Sequence, residues 1–244
     1  MIKIAFLGTP DFVKPVKDIL AKNFTLVDSL QKADLAVVAA YGKILTKDEL
    51  NTPKYGSINV HPSLLPKYRG PSPIQQAILN GDKISGITII KMDDRVDHGP
   101  IIYQEALELS DKDNFDTLSK KVFEKAAQVL PQVISDFIQG KIELLAQTDT
   151  DASYCNLLTR DSGYFDLPAG RQALNKLPEN LDRMIRAYYP WPGVWTRWSN
   201  KIVKFYPEGK IQMEGKKIIS LPEFLNGYPD FPLKNLLNID VTED

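Results

Sequence analysis

The chain has 244 residues, 43% of them hydrophobic and 25% charged, with a formal net charge of −1. Such a composition suits one large globular domain, or one domain and a small one, and gives no overall attraction to nucleic acid, so any RNA contact has to come from a local basic patch. The one cysteine, Cys155, excludes an intrachain disulfide and points to a reduced, cytoplasmic setting.

Ile2 to Leu7 reads as a buried strand ended by Gly8-Thr9-Pro10, and Asp11 caps a helix running to about Lys22. The opening MIKIAFLG turns polar too soon for a signal peptide. A strand, a glycine turn and a helix start open a doubly wound sheet. GTPDF nevertheless lacks the G-x-G-x-x-G spacing of a dinucleotide site. Phe24 to Val27 reads as a short strand. Leu35 to Ala40 is apolar throughout, as a central parallel strand covered on both faces should be. The run on to Tyr41 is the longest apolar stretch and is far too short to cross a bilayer, so no membrane contact is expected. Tyr41 to Leu45 forms a loop after that strand, and Thr46-x-x-Glu49 is a capping box for a short helix.

Ser57 to Val60 is the next strand. Asn59 and His61, two residues apart, point to one face. Pro62 cannot donate a ladder hydrogen bond, so pairing stops there. That end of a strand is where open α/β sheets bind ligands. Ser72-Pro73-Ile74-Gln75 begins a helix closed by Gly81. Gly86 to Met92 and Ile101 to Ala106 are strands, joined by the polar loop Asp93 to Pro100. Phe115, Leu118, Val122, Ala126, Val129, Val133 and Phe137 make one helical stripe, which Pro131 should kink or split. The β-α-β order predicts an α/β fold: a mostly parallel, Rossmann-like sheet with helices on both faces. Residues 1–150 form this domain.

Residues 151–178 read as a linker, with an inserted loop from Asp161 to Pro178 that is rich in glycine and proline. Residues 179–244 open with a short helix stopped by Pro190-Trp191-Pro192-Gly193. Short alternating segments follow at Val194–Trp198, Lys201–Tyr206, Lys210–Met213 and Lys216–Ile219. They predict a small C-terminal β domain, an incomplete barrel. Arg183, Arg186, Arg197 and Lys201 belong to a basic stretch interleaved with Tyr188, Tyr189, Trp191, Trp195 and Trp198. Such a stretch suits RNA backbone contact and stacking; a solvated face over a small aromatic core accounts for it equally well.

The asparagine–histidine pair needs a carboxylate. Asp97 is the best placed, on a loop after a strand that should neighbour the Asn59 strand, with Asp93 and Asp94 as alternatives. Gly99 would let the chain turn sharply beside a ligand. An amide, an imidazole and a carboxylate suit acyl transfer to an amine: donors for the oxyanion, and a carboxylate that holds the histidine and takes a proton. No serine or cysteine is placed as a nucleophile, so transfer is direct. Two histidines and one cysteine offer no metal-ligand spacing, so no metal is expected. A strand-end histidine bonded to backbone would explain His61 without chemistry.

Asn59-Val60-His61-x-Ser63-Leu64-Leu65-Pro66, followed by Asp97-x-Gly99, resembles the signature of folate-dependent formyltransferases. The stretches MIKIAFLGTPDF, AAYGKIL, SLLPKYRGPSPIQQAILNGD and RMIRAYYPWPGVWT are similar to the branch that acts on methionyl-tRNA. The resemblance covers most of residues 1–107 and 179–198. It implies that Asn59, His61 and Asp97 are catalytic, and that Ser63, Leu64, Leu65 and Pro66 contact folate. It also implies that Lys43, Ile44 and Leu45 line the pterin pocket. The donor would be 10-formyltetrahydrofolate, the acceptor the α-amino group of methionine on initiator tRNA, and the C-terminal domain OB-like; no protein partner is implied. Two departures stand out, a short connection between Asn23 and Asp34 and a short region after Trp195. Both fall on tRNA binding, which keeps open a small amine, such as an amino sugar nucleotide, as acceptor, or hydrolysis of the formyl donor.

Overall fold

A computed structural model describes residues 1–167 and 180–232. The chain divides into two compact units, residues 1–77 with 81–157, and residues 78–80 with 158–244. In chain order the first contains β1 (Lys3–Leu7), α1 (Lys14–Asn23), β2 (Thr25–Val27), β3 (Leu35–Val38), α2 (Lys47–Asn51) and β4 (Ser57–His61). Then come α3 (Pro73–Asn80), whose last three residues are counted with the second unit, β5 (Ile84–Lys91), β6 (Ile101–Glu108) and α4 (Phe115–Ile138).

The strands lie in the order β2-β1-β3-β4-β5-β6. The pairings from β2 to β4 are parallel. β5 is antiparallel to β4, and β6 to β5. The expected mostly parallel sheet is present, with an antiparallel edge. All four residues of β3 are buried, as its continuous apolar run requires.

Two helix expectations are corrected. Asp11 does not cap α1: it heads a short 3-10 turn, Asp11–Val13, and α1 starts at Lys14 with Pro15 in its first turn, where a missing N–H costs nothing. Pro131 does not split α4, which runs from Phe115 to Ile138. Leu130, Val133 and Ile134 are buried around it, and that packing offsets a proline penalty of about 3 kcal/mol. The rings of Phe12 and Phe123 meet at 5.4 Å beneath this helix. At α2 the expected capping box is formed, Thr46 accepting from the Glu49 N–H and Glu49 from the Thr46 N–H.

The second unit contains α5 (Leu181–Tyr188), β7 (Val194–Trp198), β8 (Lys201–Tyr206), β9 (Lys210–Met213), β10 (Ile219–Ser220) and α6 (Leu221–Gly227). Its strands form an antiparallel meander, β10-β9-β8-β7. Val203 and Phe205 are buried while Lys204 between them is exposed, the period-two pattern of a one-sided sheet. Much of the Asp161–Pro178 insert lies outside the described residues. Its described start is tied to β7: Tyr164 bridges to Trp195, and the Thr196 hydroxyl donates to the Phe165 carbonyl at 2.7 Å. No expectation covered α6, although Ser220 and Glu223 form a capping box at its start.

Candidate active site

β4 delivers Asn59 and His61 to one face. His61 is 3% exposed. Its Nδ1 lies 3.0 Å from Ser63 Oγ, and that hydroxyl gives its own proton to the Lys67 carbonyl at 2.7 Å. Nδ1 is therefore the donor to Ser63, an assignment made from the hydrogen-bond network. Nε2 faces only acceptors, Asp97 Oδ2 at 3.3 Å and the Gly70 carbonyl at 3.5 Å.

The Asp97 carboxylate accepts from both sides. Oδ1 accepts a hydrogen bond from Asn59 Nδ2 at 3.1 Å, and Oδ2 one from the Gly70 N–H at 2.9 Å. The three residues singled out from spacing thus meet. They meet by a different route from two parallel strand ends, however. Because β5 is antiparallel to β4, Lys91 at its end sits opposite Ile58 at the start of β4. The loop 92–100 has to turn back over β4 to bring Asp97 to His61. Asp97 takes a left-handed φ of +49° to do so, a conformation that asparagine and aspartate tolerate best among non-glycine residues.

Gly99 has a different task from the expected one. A Cβ there would overlap the Lys91 carbonyl, so its smallness serves the closure of the loop on β5. Of the alternative carboxylates, Asp93 is taken by the second histidine, His98 Nδ1 at 2.7 Å, and Asp94 is exposed.

Burial works against a charge on Asp97. The His61 ring beside it, with hydrogen bonding to that ring, the Gly70 N–H and Asn59, outweighs burial and holds the carboxyl below its ordinary range. A lowered native pKa means that the ionised carboxylate stabilises the fold above its unfolded pKa, about 3.9, and that this contribution is lost as pH falls through the native value. The stability gap between wild type and Asp97→Asn is therefore expected to be constant above about pH 5 and to shrink in acid. Denaturant unfolding across that range checks this; a gap that stays level in acid refutes it.

Ser63 and Leu65 turn inward, each 2% exposed, while Leu64 and Pro66 are half-buried. The Leu65 N–H donates to Thr88 Oγ1 at 3.1 Å and its carbonyl accepts from Gln104 at 2.8 Å, which fixes the segment on β5 and β6. Lys43 and Ile44 stand out on the loop after β3, Ile44 88% exposed, and Leu45 is half-buried. In the second unit, Arg183 and Arg186 are half-buried on α5, and Arg186 donates to Asp182 at 2.8 Å. Arg197 and Lys201 are exposed but point to opposite faces of the sheet, since Arg197 pairs with Ile202 and Lys201 with Trp198. The expected basic set is not one surface.

Residues absent from the expectation also shape this site. Gly70 donates to Asp97. Gln147 and the buried Arg69 hold the loop that carries Asp97. The motif SLLPKYRG runs through Arg69 and Gly70, but nothing near Gln147 signals a partner so far upstream.

Residues 9–134 match the formyl transferase family and residues 173–207 the formyl transferase C-terminal domain. The chain belongs to the formyl transferase family. Methionyl-tRNA formyltransferase of Roseiflexus sp. (strain RS-1) is 42% identical over 175 residues, 71% of this chain and 51% of that protein. The enzyme of the same name from Thermodesulfovibrio yellowstonii is 34% identical over 224 residues, 80% of this chain and 70% of its own. The chain spans about half the length of the first of these curated relatives. Among solved structures, methionyl-tRNA formyltransferase from Clostridium thermocellum shares the fold, with a TM-score of 0.65 at 18% identity over 90% of this chain and all of its own. HypX from Aquifex aeolicus, in complex with tetrahydrofolic acid, shares it at a TM-score of 0.68 and 13% identity, over 96% of this chain and 48% of that one. Among the described residues no helix is long and apolar enough to cross a membrane.

Proposed function

We propose that this chain transfers the formyl group of 10-formyltetrahydrofolate to the α-amino group of methionine on initiator tRNA. The observation that carries the reading is the convergence of Asn59, His61 and Asp97. The amine attacks the formyl carbon, forming a C–N bond and a tetrahedral oxyanion. The amide proton of Asn59 that is not given to Asp97, and Nε2 of His61 once it has taken up the amine's proton, are the donors to that oxyanion. Collapse breaks the bond to N10 of the folate. The proton lost by the amine passes by way of the Asp97–His61 pair to N10. Asp97, already accepting several hydrogen bonds and depressed in pKa, is a weak base; its chief task is to aim its two neighbours.

Folate would lie along Leu64, Pro66 and the exposed loop of Lys43, Ile44 and Leu45, with the inward-facing Ser63 and Leu65 supporting that surface. Initiator tRNA as acceptor is supported by the names of the curated relatives. Arg183, Arg186, Arg197 and Lys201 would contribute charge to its phosphates, Arg197 and Lys201 from separate faces. A cytoplasmic location fits an acceptor made there.

One observation favours a second reading, with a small amine as acceptor. The connection from β2 to β3 holds only a single 3-10 turn, Leu30–Lys32, with no inserted basic loop. Purified protein supplied with 10-formyltetrahydrofolate and charged initiator tRNA is expected to yield formylmethionyl-tRNA, at a rate that falls steeply with added salt. Absence of that product overturns the reading. Formate release without an amine would identify a hydrolase instead.

A further inference from the structure

We propose that Gln147 is a positioning residue: its amide holds the backbone of the loop that aims Asp97 at His61. Gln147 Nε2 donates to two carbonyls of that loop, Asp97 O at 2.9 Å and Gly99 O at 2.8 Å. Its Oε1 accepts from Arg69 Nε at 3.0 Å. The orientation of this amide is forced. Arg69 can only donate and the two carbonyls can only accept, so a flipped amide would lose all three bonds.

Asp97 needs such a hold. Its left-handed φ is disfavoured for any residue with a Cβ, and an unfavourable backbone state persists only when its surroundings fix it. The Gly70 N–H pins the carboxylate end of Asp97; Gln147 pins the backbone end. Arg69 is itself 1% exposed and bonded to Asp149 at 2.9 Å. Its backbone exchanges bonds with the strap of residues 145–156 that carries Gln147: Arg69 N–H to the Ser153 carbonyl at 2.8 Å, and Cys155 N–H to the Arg69 carbonyl at 2.8 Å. The strap is registered at its other end on Ile101, which trades two backbone bonds with Leu145 at 2.8 and 3.0 Å. Gln147 thus sits where one segment ties together the two loops that supply Gly70 and Asp97.

The inference rests on the function proposed above, and the test separates the two. Gln147→Glu keeps an acceptor for Arg69 and removes both amide donors. Its kcat for formyl transfer is expected to fall about 10- to 100-fold, since a misplacement near 1 Å costs about that much. KM for the formyl donor and the thermal midpoint should stay close to wild type. The ¹⁵N ring resonances of His61, assigned by their loss in His61→Asn, should shift as Asp97 moves away. A folded Gln147→Glu with wild-type kcat, or with unshifted His61 resonances, overturns the proposal. Should that variant not fold, Gln147→Asn, whose amide is one methylene short, carries the same two readings; failure of both to fold overturns it too, because a positioning role leaves a folded, slow enzyme. If wild type gives no turnover, the function proposal fails, and the resonances alone decide on Gln147.

Discussion

Replacing His61 with asparagine is expected to lower formyl transfer by about 10²- to 10⁴-fold, the usual worth of a positioned proton donor or acceptor. The expectation follows from the bonding of the ring. Nδ1 is committed to Ser63, so Nε2 is the atom available for chemistry, and it faces the Asp97 carboxylate. An asparagine at this strand end can satisfy Ser63 but reaches less far towards the reacting carbon. KM for the donor should barely change, because the loss falls on the transition state and not on ground-state binding. Steady-state kinetics, with a melting curve to confirm folding, decides the matter. Turnover equal to wild type in a folded His61→Asn protein would remove this imidazole from the mechanism.

Gly99→Ala should damage both stability and turnover. The added methyl would overlap the carbonyl of Lys91, whose own N–H is bonded to Pro100 at 2.9 Å. Neither backbone can yield without opening the β5–β6 loop. Overpacking of this kind costs about 1–3 kcal/mol. The displaced loop carries Asp97, so turnover should fall about 10²-fold. Gly140 is the control. It has a left-handed φ of +68° but open space around a Cβ, so Gly140→Ala should cost only about 1 kcal/mol. Its turnover should be unchanged. Denaturant midpoints and kcat measured on both variants test the contrast; equal losses in the two would remove the steric argument.

The strands were legible wherever pattern and burial agree. Lys201–Tyr206 and Lys210–Met213 stand as expected, because their alternation matches a one-sided sheet, and Val194–Trp198 stands with its first three residues all buried. Asn59 and His61 were legible for a similar reason, since period two and a following proline leave little choice of face. The direction of β5 was not. GITIIKM is apolar nearly throughout and reads alike for a parallel or an antiparallel neighbour. The strap around Gln147 was hidden more deeply: its order comes from single bonds to backbone atoms far upstream, and such bonds leave no periodicity. The box at Ser220 and Glu223 was a visible signal for α6.

The strap described for residues 145–156 has a consequence for how the protein comes into being. A nascent chain that has emerged as far as Gly140 already holds every strand of the first sheet and all of Asn59, His61 and Asp97. The amide of Gln147 and the carbonyl of Ser153 have yet to emerge. With Gln147 in the role proposed for it, competence for chemistry would lag behind formation of the sheet during translation, and would arrive when the polypeptide doubles back to lace the two loops together.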